Sequence, residues 1–299
     1  MSVAGRTAVT EVLAHWSAKH SSSAVTCPTG EAAAKQREWD TPSVTADART
    51  VMMSRADRRH QARLLAVSAP HSGDWLHALP ITSCGLRLDD EAVRVAVGLR
   101  LGAILCEPHK CPCGSDVDAE GTHGLACRRS SGRTSRHHVI NDLIWRSLLR
   151  ADIPAIKEPA GLLRSDGKRP DGLTQIPWQS GRCMTWDVTV TDTLAESYLA
   201  STSTVAGGAA EGAASRKETK YQSLAMTHTF IPLAFETLGP INSKGITFFN
   251  ELGRRLSVCS GDSRETAFLY QRLSIAIQRF NGICFHGSFS QQADTDSDS

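Results

Sequence analysis

The fold is decided by residues 181–193, GRCMTWDVTVTDT, in which apolar and polar side chains alternate. A period of two is typical of a β-strand with one face packed on a core. The face expected in the core carries Met184, Trp186, Val188 and Val190. The opposite face carries Cys183, Thr185, Asp187 and Thr189. The strand therefore displays one carboxylate, that of Asp187, on its polar face.

A second carboxylate precedes this strand, because residues 156–172 predict a strand, a turn and a further strand entered at Pro170-Asp171. Sixteen positions separate Asp171 from Asp187, which suits two adjacent strands joined by a short turn. Carboxylates on neighbouring strands can bind Mg²⁺ or Mn²⁺ through oxygen. Such an ion can activate water and stabilise the leaving oxygen of a phosphodiester. The alternative is that each Asp is a solvated charge on a strand.

Three more residues extend this candidate catalytic set. Glu158 enters the same region of the sequence, and Lys217 and Lys220 come from a later helix. An ammonium beside a metal can orient water or neutralise charge that develops on phosphate. The candidates are therefore Asp171, Asp187, Glu158, Lys217 and Lys220. The sequence leaves open which lysine acts.

Helical spacing surrounds these strands. Residues 89–105 begin with acidic side chains and repeat Val93, Val97 and Leu101 on one face, which predicts a helix in a small packed helical unit. Residues 135–150 predict a second helix with an apolar stripe. Further along the chain the pattern predicts a strand over 228–237 and helices over 243–258 and 264–281. This mixture of elements favours an α/β fold.

Composition bounds the class of protein. The 299 residues are 40% hydrophobic and 21% charged, which is too apolar for full disorder. No run of about 18 apolar residues exists, so no membrane span is expected. The N-terminus lacks the pattern of a secretory signal, so we expect an intracellular, reducing location, nuclear or cytoplasmic, and no membrane partner. The net charge is only +2, yet residues 128–170 hold ten Lys and Arg against four Asp and Glu.

The cysteines cluster in a pattern that predicts zinc. Four of the nine lie between Cys106 and Cys127, and Cys111, Cys113, His123 and Cys127 follow one another at metal-ligand spacing. Thiolates and imidazole are the ligands of a closed tetrahedral zinc site, and the ion would supply the folding energy of the polar loop between them. The one-residue gap between Cys111 and Cys113 is short, so Cys106 or His109 remains an alternative to Cys111. The other interpretation is a chance group of reduced thiols.

Basic side chains flank the Cys/His cluster and the segment that carries Asp171. They are candidates for contacts to a nucleic-acid backbone. They are Arg128, Arg129, Arg133, Arg136, His137, Lys168 and Arg169. The alternative is solvated loop charge and, for His137, an ordinary polar residue near a helix N-terminus.

The order of these motifs resembles a known family. The Cys/His cluster ends at Cys127. After it come Arg136-His137 with Asn141-Asp142, then Arg169-Pro170-Asp171, then Asp187, then Lys217-Glu-Thr-Lys220-Tyr221. This series is similar to the C-terminal region of site-specific non-LTR retrotransposon reverse transcriptase proteins, where a Cys-Cys-His-Cys zinc knuckle precedes a restriction-like endonuclease.

The resemblance implies a mixed-sheet PD-(D/E)xK core flanked by helices, structural Zn²⁺, and cleavage of DNA with Mg²⁺ or Mn²⁺. It also implies DNA as a partner, element RNA as a further one, and a missing reverse transcriptase portion, because no Tyr/Phe-x-Asp-Asp occurs. The sequence departs from the pattern at Thr189, where a lysine is expected, so Lys217 or Lys220 would have to replace it. The alternative function is a catalytically inactive remnant that binds nucleic acid through its knuckle.

These observations divide the chain into five segments. We expect disorder or a loosely attached helix over 1–48, a helical segment over 49–105 and the zinc knuckle over 106–130. The endonuclease-like domain would occupy 131–289, and an acidic disordered tail 290–299.

Overall fold

The computed structural model describes residues 3–19, 27–31, 35–54, 57–162 and 167–289. These residues divide into two compact units, the second beginning at Asp57. The first unit contains helices α1 (Val3–Lys19) and α2 (Gln36–Ser54), and α2 runs past residue 48, where we expected the disordered or loosely attached segment to end. Trp16 and Trp39 join them, with ring centroids 5.5 Å apart. The expected acidic tail, 290–299, lies outside the described residues.

The second unit carries every motif singled out above. Its elements are α3 (Arg58–Ser68), α4 (Asp90–Leu101), β1 (His109–Lys110), β2 (Asp116–Val117), α5 (His123–Ala126), α6 (Ser131–Arg150), β3 (Ala155–Lys157), β4 (Gly172–Gln179), β5 (Arg182–Thr191), α7 (Glu196–Thr202), α8 (Gly208–Lys220), β6 (Thr229–Glu236), α9 (Ser243–Ser260) and α10 (Glu265–His286). With α1 and α2, the described residues thus form ten α-helices and one mixed four-stranded sheet, a mixed α/β fold. Within the same residues, no helix is long and apolar enough to cross a membrane.

The strands of the sheet follow the order β3-β4-β5-β6. The pairs β3–β4 and β4–β5 are antiparallel, and β5–β6 is parallel. In the β4–β5 ladder Gly172 pairs with Trp186, and the amide of Asp171 donates to the carbonyl of Trp186 at 2.9 Å. Asp171, the residue before β4, therefore bonds to the backbone of β5 at Trp186, one residue from Asp187.

The two faces of β5 have the environments predicted from the alternation. Met184, Trp186 and Val188 are buried in the main core, which α6, α9 and α10 complete on one face of the sheet. Helix α8 covers the other face, where its alanines pack on Ala234 of β6. Asp187 thus points toward α8 and away from the apolar core.

Close packing explains the glycine that follows Pro170-Asp171. A Cβ atom at Gly172 would lie 2.0 Å from the ring of Trp186, so only glycine fits beneath the indole. The indole Nε1 donates to Oδ1 of Asn141 at 2.8 Å, which ties β5 to α6. The Asn141 amide in turn donates to the carbonyl of Asp171 at 3.4 Å.

Helix α4 packs through a different face from the one that its large side chains suggested. Val93, Val97 and Leu101 are exposed, whereas the buried positions are Ala92, Val95, Ala96, Gly98 and Leu99. The small residues allow α10 to approach closely, since a Cβ on Gly282 would lie 3.3 Å from Cα of Ala92. The face of α4 that packs on α10 is therefore the one with small side chains, which allow close approach, and not the one with the largest apolar side chains.

The segment between α4 and α6 docks on the C-terminal end of α10. A Cβ atom at Gly124 of α5 would lie 2.5 Å from the carbonyl oxygen of Cys284. Leu125 is buried beside Cys284 and Phe285 in the same contact. The predicted knuckle is therefore packed into the second unit rather than tethered to it.

This contact can be tested with two glycines that both lie in helices. We expect Gly124→Ala to lower the free energy of unfolding by about 1–3 kcal/mol, because the new methyl group overlaps backbone that cannot move freely. Gly212→Ala in α8 should raise it by about 0.5–1 kcal/mol, because its nearest neighbour is the flexible end of Arg216. Urea unfolding of both variants measures the difference, and equal effects would contradict the packing described.

Candidate functional site

A Cys₃His cluster lies at the predicted zinc knuckle. The ligand atoms of Cys111, Cys113, His123 and Cys127 all lie within 4.8 Å of one another. The Sγ atoms of Cys111 and Cys127 are 3.8 Å apart, and Sγ of Cys113 is 3.2 Å from Nε2 of His123. Tetrahedral zinc with Zn–S bonds of about 2.3 Å requires sulfurs about 3.8 Å apart, so the donor set fits the ion.

The structure resolves the choice of ligands that the sequence left open. Cys106 contacts the backbone carbonyl of Asp118 at 3.4 Å, and Nε2 of His109 lies 3.2 Å from the hydroxyl of Ser288. Neither residue belongs to the Cys₃His cluster. Across the part of the chain that the structure describes, no other group of three or more His, Cys, Asp or Glu side chains has metal-binding geometry.

The local fold brings the four ligands together. Strand β1 precedes the Cys111–Cys113 turn and strand β2 follows it. The amide of Cys111 donates to the carbonyl of Ser115 at 2.9 Å and closes this turn. Burial raises the pKa of Cys111 to about 11, whereas hydrogen bonds with Ser115 lower the pKa of Cys113 to about 6. Zinc binds thiolates, so it would displace the proton of Cys111.

The prediction that Arg136 contacts nucleic acid is wrong. Its side chain is only 1% exposed, so it is not a surface charge. One guanidinium nitrogen donates to Oδ1 of Asn281 at 2.8 Å and another to the carbonyl of Leu125 at 3.3 Å. The residue therefore fastens α6 to both α10 and the knuckle, because a buried guanidinium must be hydrogen-bonded.

The two predicted carboxylates lie close together at the place where β4 begins beside β5. The carboxylate of Asp171 accepts the amide of Val188 at 2.6 Å, next to Asp187 itself. Asp187 is buried with its carboxylate on Nζ of Lys217 from α8. Two acids from different strands thus share one small site.

No protein family matches the sequence of this chain, and no curated protein does either.

His137 and Lys217 contact one acid each. Nε2 of His137 lies 3.3 Å from Oδ1 of Asp171, a hydrogen bond that raises the pKa of His137. Burial and the charge of Asp171 raise the pKa of Asp187, while Lys217 and Tyr221 act in the opposite direction. A buried carboxylate whose pKa is raised by a second carboxylate nearby belongs to a site that favours a cation.

The other two catalytic candidates have different contacts. Glu158 follows β3 directly, and its backbone amide donates to the carbonyl of Asp171 at 2.9 Å. Its side chain is 53% exposed and pairs with Arg169. Nζ of Lys220 donates to the hydroxyl of Tyr221 at 2.9 Å. Of the two predicted lysines, Lys217 is the one whose Nζ contacts Asp187.

The remaining basic candidates lie at the surface or near it. Arg128, Arg129, Lys168 and Arg169 are exposed, and Arg133 is half-buried. Arg129 donates to the carbonyl of Pro112 at 3.0 Å and Arg133 to that of Ala126 at 3.1 Å, so both also brace the knuckle.

Two site residues were absent from the sequence-based list of candidates. Tyr221 is fully buried, its hydroxyl lies 2.8 Å from the carbonyl of Arg169, and it hydrogen-bonds toward Asp187. Asn141 holds both Trp186 and the backbone of Asp171. Both residues occur in the motifs quoted above, so their place in those motifs was the available signal.

Glu236 positions the helix that carries Lys217. Its buried carboxylate accepts the amides of Ala209 and Ala210, at 2.9 and 3.1 Å, in the first turn of α8. A negative charge there also stabilises the helix dipole. Burial raises the pKa of Glu236 above its ordinary value of 4.5.

Zinc ligation can be tested by metal content. Purified protein should hold about one zinc ion per chain, and Cys113→Ser and Cys127→Ser should each reduce that content strongly, because a serine hydroxyl is a poor ligand. Cys106→Ser should retain zinc. Elemental analysis after desalting distinguishes the cases, and loss of zinc from Cys106→Ser alone would reject the assigned ligands.

The raised pKa of Glu236 predicts that the free energy of unfolding depends on pH. Because its folded-state pKa is raised, its contribution is fully present below pH 4.5 and is lost as the pH rises through the folded-state pKa. Glu236→Gln keeps the acceptor oxygen without the titration, so its unfolding free energy should gain on wild type between about pH 5 and about pH 8. Urea unfolding at both values measures this, with exposed Glu196→Gln as control. A constant difference across this range would contradict the prediction.

Proposed function

We propose that this chain is a metal-dependent DNA endonuclease domain with a restriction-endonuclease-like core, related to the C-terminal region of site-specific non-LTR retrotransposon proteins. One observation carries the proposal. Asp171, just before β4, and Asp187 on β5 lie close together, with His137 contacting the first and Lys217 the second. Paired acids with a lysine on a sheet suit hydrolysis of a phosphodiester.

Mg²⁺ or Mn²⁺ fits this site by the chemistry of its donors. Both ligands would be carboxylate oxygens, which are the hard ligands that these ions prefer. Burial and the charge of Asp171 make ionisation of Asp187 unfavourable, and a divalent cation held by the two acids would offset that cost. When bound, the ion would polarise the phosphate and activate water.

The protein side chains would supply orientation and charge. Lys217 takes the place of the lysine that the family pattern expects at Thr189, because α8 brings its ammonium to the same face of β5. Its charge would stabilise negative charge that develops on the phosphate oxygens. His137 is 32% exposed and would orient Asp171, whose second oxygen is held by the amide of Val188.

DNA is the substrate that the surroundings favour. The exposed residues Arg128, Arg129 and Lys168 belong to segments adjoining the two acids, and arginine and lysine bind backbone phosphates without regard to sequence. The knuckle, packed on α10, would stiffen the segment that carries the first two of these residues. Its zinc would be structural, because four protein ligands leave no open position.

The proposal is tested by nicking of supercoiled plasmid DNA in Mg²⁺ or Mn²⁺. We expect Asp171→Asn, Asp187→Asn and Lys217→Met to lose activity by about 100-fold or more, because each removes charge at the reacting centre. Asp262→Asn, at a half-exposed acid in the turn between α9 and α10, should retain full activity.

Two results separate the outcomes. Retained nicking in Asp171→Asn would overturn the assignment of the site. If wild-type protein binds DNA but nicks it with neither ion, the alternative of a catalytically inactive nucleic-acid-binding protein replaces the proposal.

A further inference from the structure

The C-terminal end of α8 contacts both of the segments that carry the candidate acids. Nζ of Lys217 contacts the carboxylate of Asp187 on β5. One helical turn later, the hydroxyl of Tyr221 donates to the carbonyl of Arg169 at 2.8 Å, two residues before Asp171. Side chains four residues apart lie on the same face of a helix, so one helix end reaches both segments at once.

The chain before Asp171 needs such a contact because of Pro170. The amide of Asp171 donates to the carbonyl of Trp186 at 2.9 Å, but proline has no amide hydrogen, so the bonding to β5 cannot continue through residue 170. The next backbone group along the chain, the carbonyl of Arg169, is held by the hydroxyl of Tyr221 instead. The hydroxyl thus fixes the entry of the chain into the site.

Tyr221 is itself rigidly held. The residue is 0% exposed, and its ring packs on Phe230 with centroids 4.8 Å apart. Nζ of Lys220 donates to the hydroxyl oxygen at 2.9 Å, which leaves the phenolic hydrogen for an acceptor such as the carbonyl of Arg169. Lys220, a catalytic candidate from the sequence, therefore contacts the residue that holds the segment of Asp171.

The same hydroxyl also faces the second acid. Burial raises the pKa of Asp187, and a hydrogen bond with Tyr221 is among the contacts that lower it. A single divalent ion needs both carboxylates within one coordination shell, with oxygens about 2.0–2.6 Å from the metal. A separation that is fixed in advance costs no rearrangement when the ion binds.

We propose that Tyr221 is a positioning residue for the divalent-cation site, whose hydroxyl holds the segment of Asp171 beside Asp187 at the separation that one ion requires. The inference rests on the proposed function and specifies what sets the geometry of its two acids. Because Tyr221 is fully buried, it acts through these acids and not on the substrate. Groups that orient metal ligands in this way change metal affinity or activity by about 10–100-fold.

The test measures binding of Mn²⁺ alone to the full chain, through the electron paramagnetic resonance signal of the free ion. We expect Tyr221→Phe, which keeps the ring and removes the hydroxyl, to raise the Mn²⁺ dissociation constant about tenfold. Asp187→Asn should abolish the binding, which assigns it to the two acids. Thiolates prefer zinc to Mn²⁺, so the Cys₃His cluster does not compete for the probe.

Tyr270→Phe is the matched control. Tyr270 is 2% exposed, and its hydroxyl lies 3.2 Å from the carbonyl of Ile246 and 3.0 Å from Oδ1 of Asn250, both on α9. Both variants should lower the melting temperature, because each loses the hydrogen bonds of a buried hydroxyl. Only Tyr221→Phe should raise the Mg²⁺ concentration for half-maximal nicking, with a rate close to that of wild type at saturating Mg²⁺.

Amide hydrogen exchange gives a second measurement that needs no metal. The amide of Asp171 donates to the carbonyl of Trp186, and the amide of Val188 donates to the carboxylate of Asp171. We expect both amides to exchange about fivefold faster in Tyr221→Phe, because loss of one hydrogen bond lets the segment open more often. Tyr270→Phe should leave both rates unchanged.

The outcomes for Tyr221 and for the nuclease are distinguishable. Wild-type Mn²⁺ affinity in Tyr221→Phe, or equal losses of affinity in Tyr221→Phe and Tyr270→Phe, would overturn the positioning role whatever the nicking assay shows. If wild-type protein binds Mn²⁺ but nicks no DNA, weakened binding in Tyr221→Phe still supports the role, and only the proposed catalysis fails. If it binds no Mn²⁺, the proposed metal site fails, and amide exchange decides whether Tyr221 holds the two segments together.

Discussion

The antiparallel pairing of β4 with β5 is the constraint on which the rest of the site depends. Gly172 lies beneath the indole of Trp186, and this close packing sets the register of the two strands. Asp171, which precedes Gly172, bonds to the backbone of β5 at Trp186 and at Val188, on either side of Asp187. A shift by one residue would turn every side chain of β5 to the opposite face, which would bury the carboxylate among the core residues and turn the indole toward α8.

Helix α6 connects the knuckle, the sheet and α10. Arg136 joins it to Asn281 and to Leu125, while Asn141 joins it to β5. The same helix presents His137 to Asp171, so the position of the imidazole depends on contacts made on three sides. Helix α8 approaches from the other face of the sheet with its first turn held by Glu236, and it delivers Lys217 to Asp187. The carboxylates therefore lie where two independently anchored helices meet.

Several features were predictable because they depend on short-range spacing. The alternation in β5 predicted its buried face, and the Cys/His spacing predicted the metal-binding cluster, both of which the structure confirms. Other features were not predictable in this way. The apolar stripe of α4 is exposed and Arg136 is buried, because the docking of α10 determines which faces are covered. Side-chain type alone does not reveal which helix will approach most closely.

The amino-acid sequence by itself determined the strands of the four-stranded sheet, the two faces of β5 and the Cys/His set of the candidate metal site down to one ambiguity, since each follows from the geometry of neighbouring residues along the chain. Only the tertiary structure decided that Lys217 rather than Lys220 contacts Asp187 and that Cys106 and His109 lie outside the metal cluster. These outcomes depend on the distances between elements far apart in sequence, which packing sets and local pattern does not encode.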